Sequence, residues 1–231
     1  MKQIVVLTGG RGTRLYPLTK SIPKYLMKIN NIPFLGHQLN LFKRNKIESV
    51  ILCLGYLSEK IIEYIGDGSR FGLSIQFSVE NSENLLGTLG ALKKAENLLH
   101  DNFFVIWGDS YLETDFQHIG RQFLKTSKLG LMTVYKNKNQ LIPSNIAIKD
   151  GLVINYEKNK CKNFDYVDYG LSLFNNKVLN FFSSNKKLDI VELNKKLISM
   201  NQLAAYEVRE RFYEIGSFSG IKELEKHLNP N

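Results

Sequence analysis

Short apolar runs alternate along the first half of the chain with segments whose apolar residues recur at helical spacing. Runs of the length of buried strands cover residues 2–7, 48–54 and 103–107, and residues 73–79 alternate as a half-buried strand does. Helical spacing recurs in residues 32–46, 58–66 and 88–100. This order of elements predicts right-handed crossovers and an α/β fold with a mostly parallel sheet, in which the very apolar run 103–107 is central.

The second half is less regular. Runs typical of strands cover residues 131–135, 145–148, 152–156 and 167–174, and residues 202–208 and 211–215 are expected to form a last pair of short strands. Helical segments are expected near 176–181 and 190–200. Asp150-Gly151 predicts a β-hairpin, so this part of the sheet should be partly antiparallel. Gly170 interrupts its strand, which indicates a bulge or the close approach of a ligand. A last helix should open at Gly216-Ser217 and turn inward Phe218, Ile221, Leu224 and Leu228.

Composition narrows the class of protein. The 231 residues are 43% hydrophobic and 23% charged, as in ordinary globular proteins, and no repeat or linker divides them, so we predict a single domain. No apolar run approaches the ~20 residues that span a bilayer. We expect no signal peptide before the first strand, and Cys53 and Cys161 suggest no disulfide framework. We therefore expect a cytoplasmic protein with no membrane partner.

The net charge of +9, from 31 basic and 22 acidic residues, suits either nucleic acid or an anionic small substrate. The lysines are scattered through every segment, and neither a basic helix nor an aromatic RNA-binding motif occurs. We therefore predict no nucleic-acid partner.

The stretch Leu7–Lys24 carries the strongest chemical signal. Gly9, Gly10 and Gly12 follow the first strand, and glycines let backbone N–H groups approach and surround an anion. Arg14 and the later Lys24 add positive charge at the same edge. The spacing matches neither a Walker A loop nor the dinucleotide fingerprint. The stretch is either a tight connection or a cradle for a polyphosphate, and the cations favour the cradle.

Two further loops follow strands of the same predicted sheet. Residues 80–90 contain Glu80 and lead through Gly87-Thr88 into a helix, so this entry is either a helix cap or the lining of a pocket. Gly108-Asp109 ends the run 103–107, and its carboxylate is either part of an Asx turn or a ligand for a divalent metal beside a phosphate. Ligands of open parallel sheets gather at the carboxyl ends of the strands, where both loops lie.

Taken together, these residues resemble the sugar-1-phosphate nucleotidyltransferases, also called nucleoside-diphosphate-sugar pyrophosphorylases. The opening pattern of that family, Leu-x-Gly-Gly-x-Gly-Thr-Arg-Leu and then Pro-Lys, stands at residues 7–15 and 23–24. Leu-Gly-Thr-x-Gly-Ala stands at 86–91, Gly-Asp at 108–109 and Glu-Lys at 157–158. Variants of two late family patterns stand at 168–171 and 214–216. The resemblance covers nearly the whole chain, in the family's order.

The resemblance implies a Rossmann-like α/β/α sandwich with a mixed, mostly parallel sheet, a nucleotide-binding part near residues 1–115 and a sugar-binding part near 116–231. It implies that a sugar 1-phosphate oxygen attacks the α-phosphorus of a nucleoside triphosphate, with Mg²⁺ as cofactor and pyrophosphate as leaving group. The resemblance assigns catalysis to Arg14, Lys24 and Asp109. It assigns nucleotide binding to Leu7, Gly9, Gly10, Gly12, Thr13, Glu80, Gly87 and Thr88. It assigns sugar-phosphate binding to Gly108, Glu157, Lys158, Asp168 and Gly170, and metal binding to Asp109 and Glu214.

Three residues depart from the family pattern: Glu214 stands for the usual Asp, Asp168 for the usual Asn, and Tyr25 for a common proline. They indicate a subfamily with its own sugar, or alternatively a loss of activity. Glu80 favours GTP, because a carboxylate can accept two hydrogen bonds from guanine and only one from uracil.

Several functional alternatives stay open at this point. They are a member of the family that uses UTP or CTP, a glycosyltransferase of similar fold, and a catalytically silent nucleotide-sugar sensor. The length resembles compact members that act on heptose or N-acetylmuramate 1-phosphates. A homodimer is compatible with the sequence.

Overall fold

The computed structural model describes residues 1–137, 143–157, 164–184 and 186–229. The strands are β1 Gln3–Leu7, β2 Lys28–Ile29, β3 Ile32–Pro33, β4 Ser49–Leu54, β5 Ser74–Val79, β6 Asn102–Trp107, β7 Ser110–Leu112, β8 Gly130–Lys136, β9 Ile146–Lys149, β10 Leu152–Tyr156, β11 Tyr166–Asn175, β12 Leu203–Val208 and β13 Phe212–Glu214. The helices are α1 Phe34–Arg44, α2 Ser58–Ile65, α3 Gly87–Lys94, α4 Phe116–Thr126, α5 Ile190–Ser199 and α6 Phe218–Leu228.

Within the described residues, nine strands form the central sheet in the order β5-β4-β1-β6-β11-β8-β12-β10-β9. The first four are parallel, and Val5 of β1 lies opposite Ile51 of β4 and Val105 of β6. Strand β11 runs antiparallel to both β6 and β8, whereas β12 is parallel to β8. The predicted α/β class, with a mixed and mostly parallel central sheet, is confirmed.

The sheet is covered on both faces, which makes the molecule a three-layer α/β/α sandwich. In β1, Ile4 and Val6 pack on one face with residues of α1, α2 and α4. Val5 and Leu7 pack on the other face with residues of α3 and α5. A strand buried on both faces needs apolar side chains at every position, which explains its continuous apolar run.

Several predicted elements match the structure closely. The Asp150-Gly151 hairpin joins β9 and β10, with both turn residues at positive φ, 50° and 74°. Strand β11 contains the expected irregularity, since its register with β8 shifts between Asp168 and Ser172 and Gly170 has φ of 99°. Strand β6 occupies the interior of the sheet.

Helix α4 is an element that the sequence analysis missed. Phe116, Ile119 and Phe123 recur at helical spacing and are buried. The Asp115 carboxylate caps the helix by accepting the His118 backbone N–H at 2.8 Å. Both signals are present in the sequence, so the helix could have been predicted.

Three other predictions need correction. The helix expected over residues 88–100 ends at Lys94, and a short 3₁₀ turn follows at Glu96–Leu98. Strands β12 and β13 lie in different sheets, because β12 pairs with β8 whereas β13 pairs with β7. Phe218 is 49% exposed at the first turn of α6, and the residues buried below it are Ile221 and Leu224.

A small separate core holds the opening loop against α6. It joins Leu15 after the glycines to Phe34, Tyr111, Ile215 and Leu224. The residues just before α6 are thereby fixed beside the carboxyl end of β6. Among the described residues, no helix combines the length and the apolar character needed to cross a bilayer.

Candidate active site

The loops after β1, β5 and β6 meet at one edge of the sheet, because these strands are parallel. Two of the cavities lined by described residues open at this edge. The first, which we call the apolar cavity, has a volume of about 250 Å³. It is lined by Leu7, Gly9, Gly10, Glu80, Gly87 and Thr88, among others. The structure therefore brings together most of the residues that were predicted to bind nucleotide.

The second cavity, which we call the polar cavity, has a volume of about 520 Å³. It is lined by Arg14, Asp109, Asp168, Gly170 and Glu214, among others. Trp107 and Asp109 line both cavities and thus form the wall between them.

Asp109 is paired with Lys24 at this wall. The Lys24 Nζ lies 2.7 Å from the Asp109 Oδ2, and the two side chains are 9% and 25% exposed. The ammonium also lies 5.2 Å from the centre of the Tyr25 ring. Burial, and then the charge of Asp109, holds the pKa of the Tyr25 hydroxyl well above its usual range. Because little water screens this pair, its electrostatic interaction is stronger than that of a surface ion pair.

Close packing dictates glycine at two positions around the pair. A Cβ on Gly108 would lie within 2.7 Å of the Leu7 carbonyl oxygen and of the Tyr25 ring. Gly12 has φ of 63° and sits against the Cβ of Lys24. Its carbonyl oxygen accepts the Thr19 hydroxyl at 2.9 Å. These glycines let the opening loop and the β6 loop approach closely enough for Lys24 to reach Asp109.

Glu80 lines the apolar cavity and is buried. One carboxylate oxygen, Oε1, accepts the Leu86 backbone N–H at 2.8 Å. The other, Oε2, lies 3.0 Å from where a Cβ on Gly9 would stand. Burial raises the pKa of Glu80, and the Leu86 N–H and the charge of Lys94 partly oppose this effect. The carboxylate is therefore a strong acceptor for a donor that enters the cavity.

Glu214 reaches the same region from β13. The backbone N–H of Ile215 donates to the Asp109 carbonyl oxygen at 3.0 Å, which fixes the two chain segments side by side. The Glu214 carboxylate accepts the Ser217 hydroxyl at 2.5 Å and the Gly216 backbone N–H. Arg14 stands nearby on a 3₁₀ turn, Thr13–Leu15, and is exposed to solvent.

Asp168 lies on the bulge of β11, in the wall of the polar cavity. Its carboxylate accepts the Gly170 N–H at 2.9 Å, the Tyr156 hydroxyl at 3.3 Å and the indole N–H of Trp107. Burial raises the pKa of Asp168 and outweighs these three hydrogen bonds, which lower it. Burial, together with the charge of Asp168, also raises the pKa of Tyr156.

Two predicted binding residues have a packing role that the sequence did not reveal. A Cβ on Gly87 would lie 2.5 Å from the Leu188 carbonyl oxygen, and Gly87 has φ of 77°. The Thr88 hydroxyl accepts the Ile190 backbone N–H, the first of α5, at 2.8 Å. The segment 186–189, which we call the strap, therefore fastens the start of α3 to the start of α5. Thr88 lies inside α3 and does not cap it, since its N-cap is Leu86.

The remaining predicted residues lie elsewhere. Thr13 is exposed and lines neither cavity. Glu157 follows β10, where its backbone N–H donates to the Asn145 carbonyl oxygen, and it lines neither cavity. Lys158 lies outside the described residues.

The structure adds residues that sequence reasoning missed. The wall of the polar cavity includes Arg211, Tyr213, Ser219 and Glu223, which come from β13 and α6 and from the turn before β13. Trp107 carried a signal, because the only Trp in the sequence ends a very apolar run. The other four carried none, since the long-range pairing of β13 with β7 brings them to the site.

Asp109 and Glu214 carry the type of donor that a magnesium ion takes. Both offer carboxylate oxygens to one cavity, and Mg²⁺ typically takes one or two protein carboxylates and completes its octahedron with water and substrate phosphates. In the described part of the chain, no group of three or more His, Cys, Asp or Glu side chains is arranged to hold a metal. The residues therefore suit a metal that arrives with a phosphate ligand better than a metal held by protein alone.

Known proteins are similar to this chain over nearly its whole length. The profile of the family described as "Nucleotidyl transferase" matches residues 3–230. A D-glycero-alpha-D-manno-heptose 1-phosphate guanylyltransferase from Campylobacter jejuni is 29% identical, over 93% of this chain and 94% of the relative.

One other relative has a different nucleotide in its name, and one solved structure contains a guanine nucleotide. A UTP–glucose-1-phosphate uridylyltransferase from Synechocystis is 25% identical over 80% of this chain, which spans about half (52%) of that relative. The solved structure of HddC from Yersinia pseudotuberculosis, complexed with GMP-PN, superimposes with a TM-score of 0.82. It is 22% identical, and the match covers 99% of this chain and all of that one.

Proposed function

The chain is a nucleotidyltransferase of the nucleotidyl transferase family, and we propose that it joins GTP and a sugar 1-phosphate into a GDP-sugar, with release of pyrophosphate. The observation that carries this proposal is the wall formed by Trp107 and Asp109 between the two cavities. A nucleotide whose base occupies the apolar cavity and a sugar phosphate in the polar cavity would meet at the Lys24–Asp109 pair, with the β- and γ-phosphates directed toward Arg14 in the wall of the polar cavity. Such a meeting point is what transfer between two substrates requires.

The reaction joins two anions, so the protein must neutralise charge and align the reactants. An oxygen of the sugar phosphate attacks the α-phosphorus, and the bond from that phosphorus to the oxygen of the β-phosphate breaks. Arg14 and the amides of residues 10–13 hold the β- and γ-phosphates, which leave as pyrophosphate. Lys24 faces the α-phosphoryl group and stabilises the charge that develops in the transition state.

Asp109 and Glu214 would hold a magnesium ion in this proposal. Such an ion would supply positive charge that neutralises the phosphates of the two reactants. The longer reach of Glu214, compared with the aspartate usual in the family, is accommodated by Ser217 and Gly216, which fix its carboxylate.

Glu80 supports GTP as the nucleotide. Its nearly buried carboxylate lines the apolar cavity, where it can accept hydrogen bonds from the N1–H and N2–H₂ groups of guanine. The name of the Campylobacter relative specifies guanylyl transfer, which points the same way. UTP and CTP are the competing choices.

The sugar belongs, on this proposal, to the hexose or heptose 1-phosphates. Asp168 accepts a sugar hydroxyl, and Gly170, which has no Cβ, lets Trp107 and Ser110 pack closely against β11 in the cavity wall. The heptose in the name of the Campylobacter relative supports the larger sugar.

A pyrophosphate-release screen tests the proposal directly. Four nucleoside triphosphates are combined with a panel of hexose and heptose 1-phosphates, with and without Mg²⁺. We expect metal-dependent release that is fastest with GTP. Release that is fastest with UTP or CTP would contradict the base assignment, and no release from any pair would contradict transferase activity.

A further inference from the structure

The polar cavity extends past the proposed phosphate site to a second group of polar side chains. Glu223 lines it three residues further along α6 than Gly220, which packs against the Glu214 carboxylate. Three residues of helix advance about 4.5 Å, a distance that part of a sugar can span. Arg211 is paired with Glu223, and Ser219 precedes Glu223 by four residues on α6, so both lie beside it in the wall. The Ser219 hydroxyl also lies 3.1 Å from that of Ser217. These side chains have no role in the transfer step proposed above.

Arg211 is held in a defined position. It forms an ion pair with Glu223, with 2.5 Å between the guanidinium nitrogen and the carboxylate oxygen. Its guanidinium also lies 5.3 Å from the centre of the Tyr213 ring, and that ring stacks on His227 with centroids 4.2 Å apart. His227 in turn is 2.6 Å from Glu113. This chain of contacts pre-organises Arg211, so a ligand would bind it at a low entropic cost.

The charges of the lining favour a neutral ligand at this end. Among its described residues, the polar cavity has carboxylates at Asp109, Asp168, Glu214 and Glu223 and guanidinium groups at Arg14 and Arg211. Arg211 is already neutralised by Glu223, and Arg14 lies with Glu214 at the other end. Among the described residues that line the cavity, no unpaired cation lies beside Glu223 to meet a second anion, and like charges at close range are costly.

Hydroxyl groups match the hydrogen-bond donors of Arg211 and acceptors of Glu223 that their ion pair does not use. The Arg211 guanidinium has N–H donors beyond those used for Glu223, and the carboxylate has further acceptor sites. The Ser219 hydroxyl can donate or accept. Because a sugar hydroxyl both donates and accepts, neighbouring hydroxyls can bond to all three side chains.

We propose that Arg211, Ser219 and Glu223 form a subsite for the neutral, hydroxylated end of the sugar farthest from its phosphate, and that Glu223 rejects sugars with a carboxylate at that end. This inference rests on the proposed function, because it takes the polar cavity as the site of the sugar 1-phosphate. It names neutral polyhydroxylated sugar 1-phosphates as the substrate class.

The experiment compares mannose 1-phosphate with mannuronic acid 1-phosphate, which differ only in having a hydroxymethyl or a carboxylate at one carbon. Turnover with GTP and Mg²⁺ gives kcat/KM for each sugar in the wild-type protein and in Glu223→Gln. We expect the wild type to prefer the neutral sugar. In Glu223→Gln this preference should fall by about tenfold, mainly through KM, because the repulsive charge is removed. Glu225→Gln, on the same helix but outside the cavity wall, should leave the preference unchanged.

A second variant tests the attractive part of the subsite. Arg211→Lys keeps the charge and loses the planar, multidentate donor, so KM for mannose 1-phosphate should rise several-fold while kcat changes little. The exposed Arg209, which lies outside the polar cavity, supplies the control variant Arg209→Lys, for which no change is expected.

Calorimetric binding of the same two sugar phosphates, measured without turnover, separates this inference from the proposed function. If no pyrophosphate is released from any pair, the proposed function fails, and the ratio of the two binding constants still decides the subsite. An equal ratio in wild type and Glu223→Gln would overturn the inference. Failure of the wild type to bind either sugar phosphate would overturn it as well.

Discussion

In the proposed function, Lys24 and Asp109 are the single residues that prepare the site for two highly charged substrates. Their ion pair is largely shielded from water, and each charge is balanced by the other in the free protein. A bound triphosphate offers Lys24 a different anion, and a metal ion offers Asp109 a different cation. We therefore expect both residues to change partners when substrates bind, which leaves Lys24 free to follow the charge at the α-phosphorus.

The variant Lys24→Ala tests this role. We expect kcat to fall by about 10²- to 10³-fold, because a charge positioned at the transition state is lost, while nucleotide affinity changes much less. Steady-state kinetics and an independent nucleotide binding measurement separate the two effects. A loss of affinity with unchanged kcat would contradict a role in the transition state.

Asp168 makes a prediction about stability and pH. Burial raises its pKa in the folded protein, so this carboxyl ionises less readily in the folded than in the unfolded state. The stability contributed by protonated Asp168 is complete when the pH lies below the pKa of this carboxyl in the unfolded protein. It is lost as the pH rises through the higher pKa in the folded protein. Asp168→Asn removes this titration.

We therefore expect the unfolding free energy of Asp168→Asn, relative to wild type, to increase as the pH rises from about 3 to about 7. Urea unfolding of both proteins at several pH values measures this difference. The pKa of Glu80 is also raised, but Glu80 titrates in both proteins, so its contribution cancels in the difference of unfolding free energies. A difference that stays constant or falls with pH would show that burial does not dominate at Asp168.

Residues of the site were predictable from the sequence where their signal is local. Gly9, Gly10 and Gly12 follow a strand within a few positions, so a ligand-binding loop could be inferred from composition and spacing alone. Arg211 and Glu223 join the site only through long-range strand pairing and the packing of a helix, which no local pattern encodes.

At the scale of elements, the strap of residues 186–189 fixes the start of α3 beside the apolar cavity. The Leu188 carbonyl oxygen accepts the backbone N–H groups of Leu89 and Gly90, at 3.0 and 3.3 Å. The Leu188 N–H donates to the Leu86 carbonyl oxygen at 2.8 Å. Because Gly87 and Gly90 have no Cβ, the strap can pack against the start of α3, and it thereby fixes this part of the wall of the apolar cavity.

Gly87→Ala should disrupt this contact. Its φ of 77° disfavours any residue with a Cβ, and that Cβ would lie 2.5 Å from the Leu188 carbonyl oxygen. We expect the unfolding free energy to fall by at least about 2 kcal/mol, measured by urea denaturation. In Gly10→Ala the added Cβ meets nothing within 4 Å and φ is not positive, so stability should stay within about 0.5 kcal/mol of wild type. Equal stability of the two variants would contradict this view of the strap.

The elements themselves were predicted with uneven success, for physical reasons. Strands β1, β4 and β6 are buried on both faces, so their apolar runs are unmistakable. The end of α3 at Lys94 was missed, because helix-compatible residues continue beyond it and tertiary packing decides where the helix stops. The placement of β12 and β13 in different sheets could not be predicted either, because their partner strands, β8 and β7, are distant in sequence.

At the scale of the whole molecule, the sheet brings the two halves of the chain to a common wall. The parallel strands supply the opening loop, Glu80 and Asp109, whereas β11, β13 and α6 supply the polar cavity. The architecture could be predicted because strand and helix patterns alternate in the first half. The two adjoining cavities could not, because their shapes depend on side chains from both halves.

The central claim is that a sugar phosphate oxygen attacks the α-phosphorus of the nucleotide at this wall. The most direct measurement uses a sugar 1-phosphate whose phosphate oxygens are all labelled with ¹⁸O, with GTP and Mg²⁺, and follows the label by mass spectrometry. All of the label should appear in the GDP-sugar and none in pyrophosphate, and Asp109→Asn should remain folded but form neither product. Label in pyrophosphate, or undiminished product formation by Asp109→Asn, would contradict the claim.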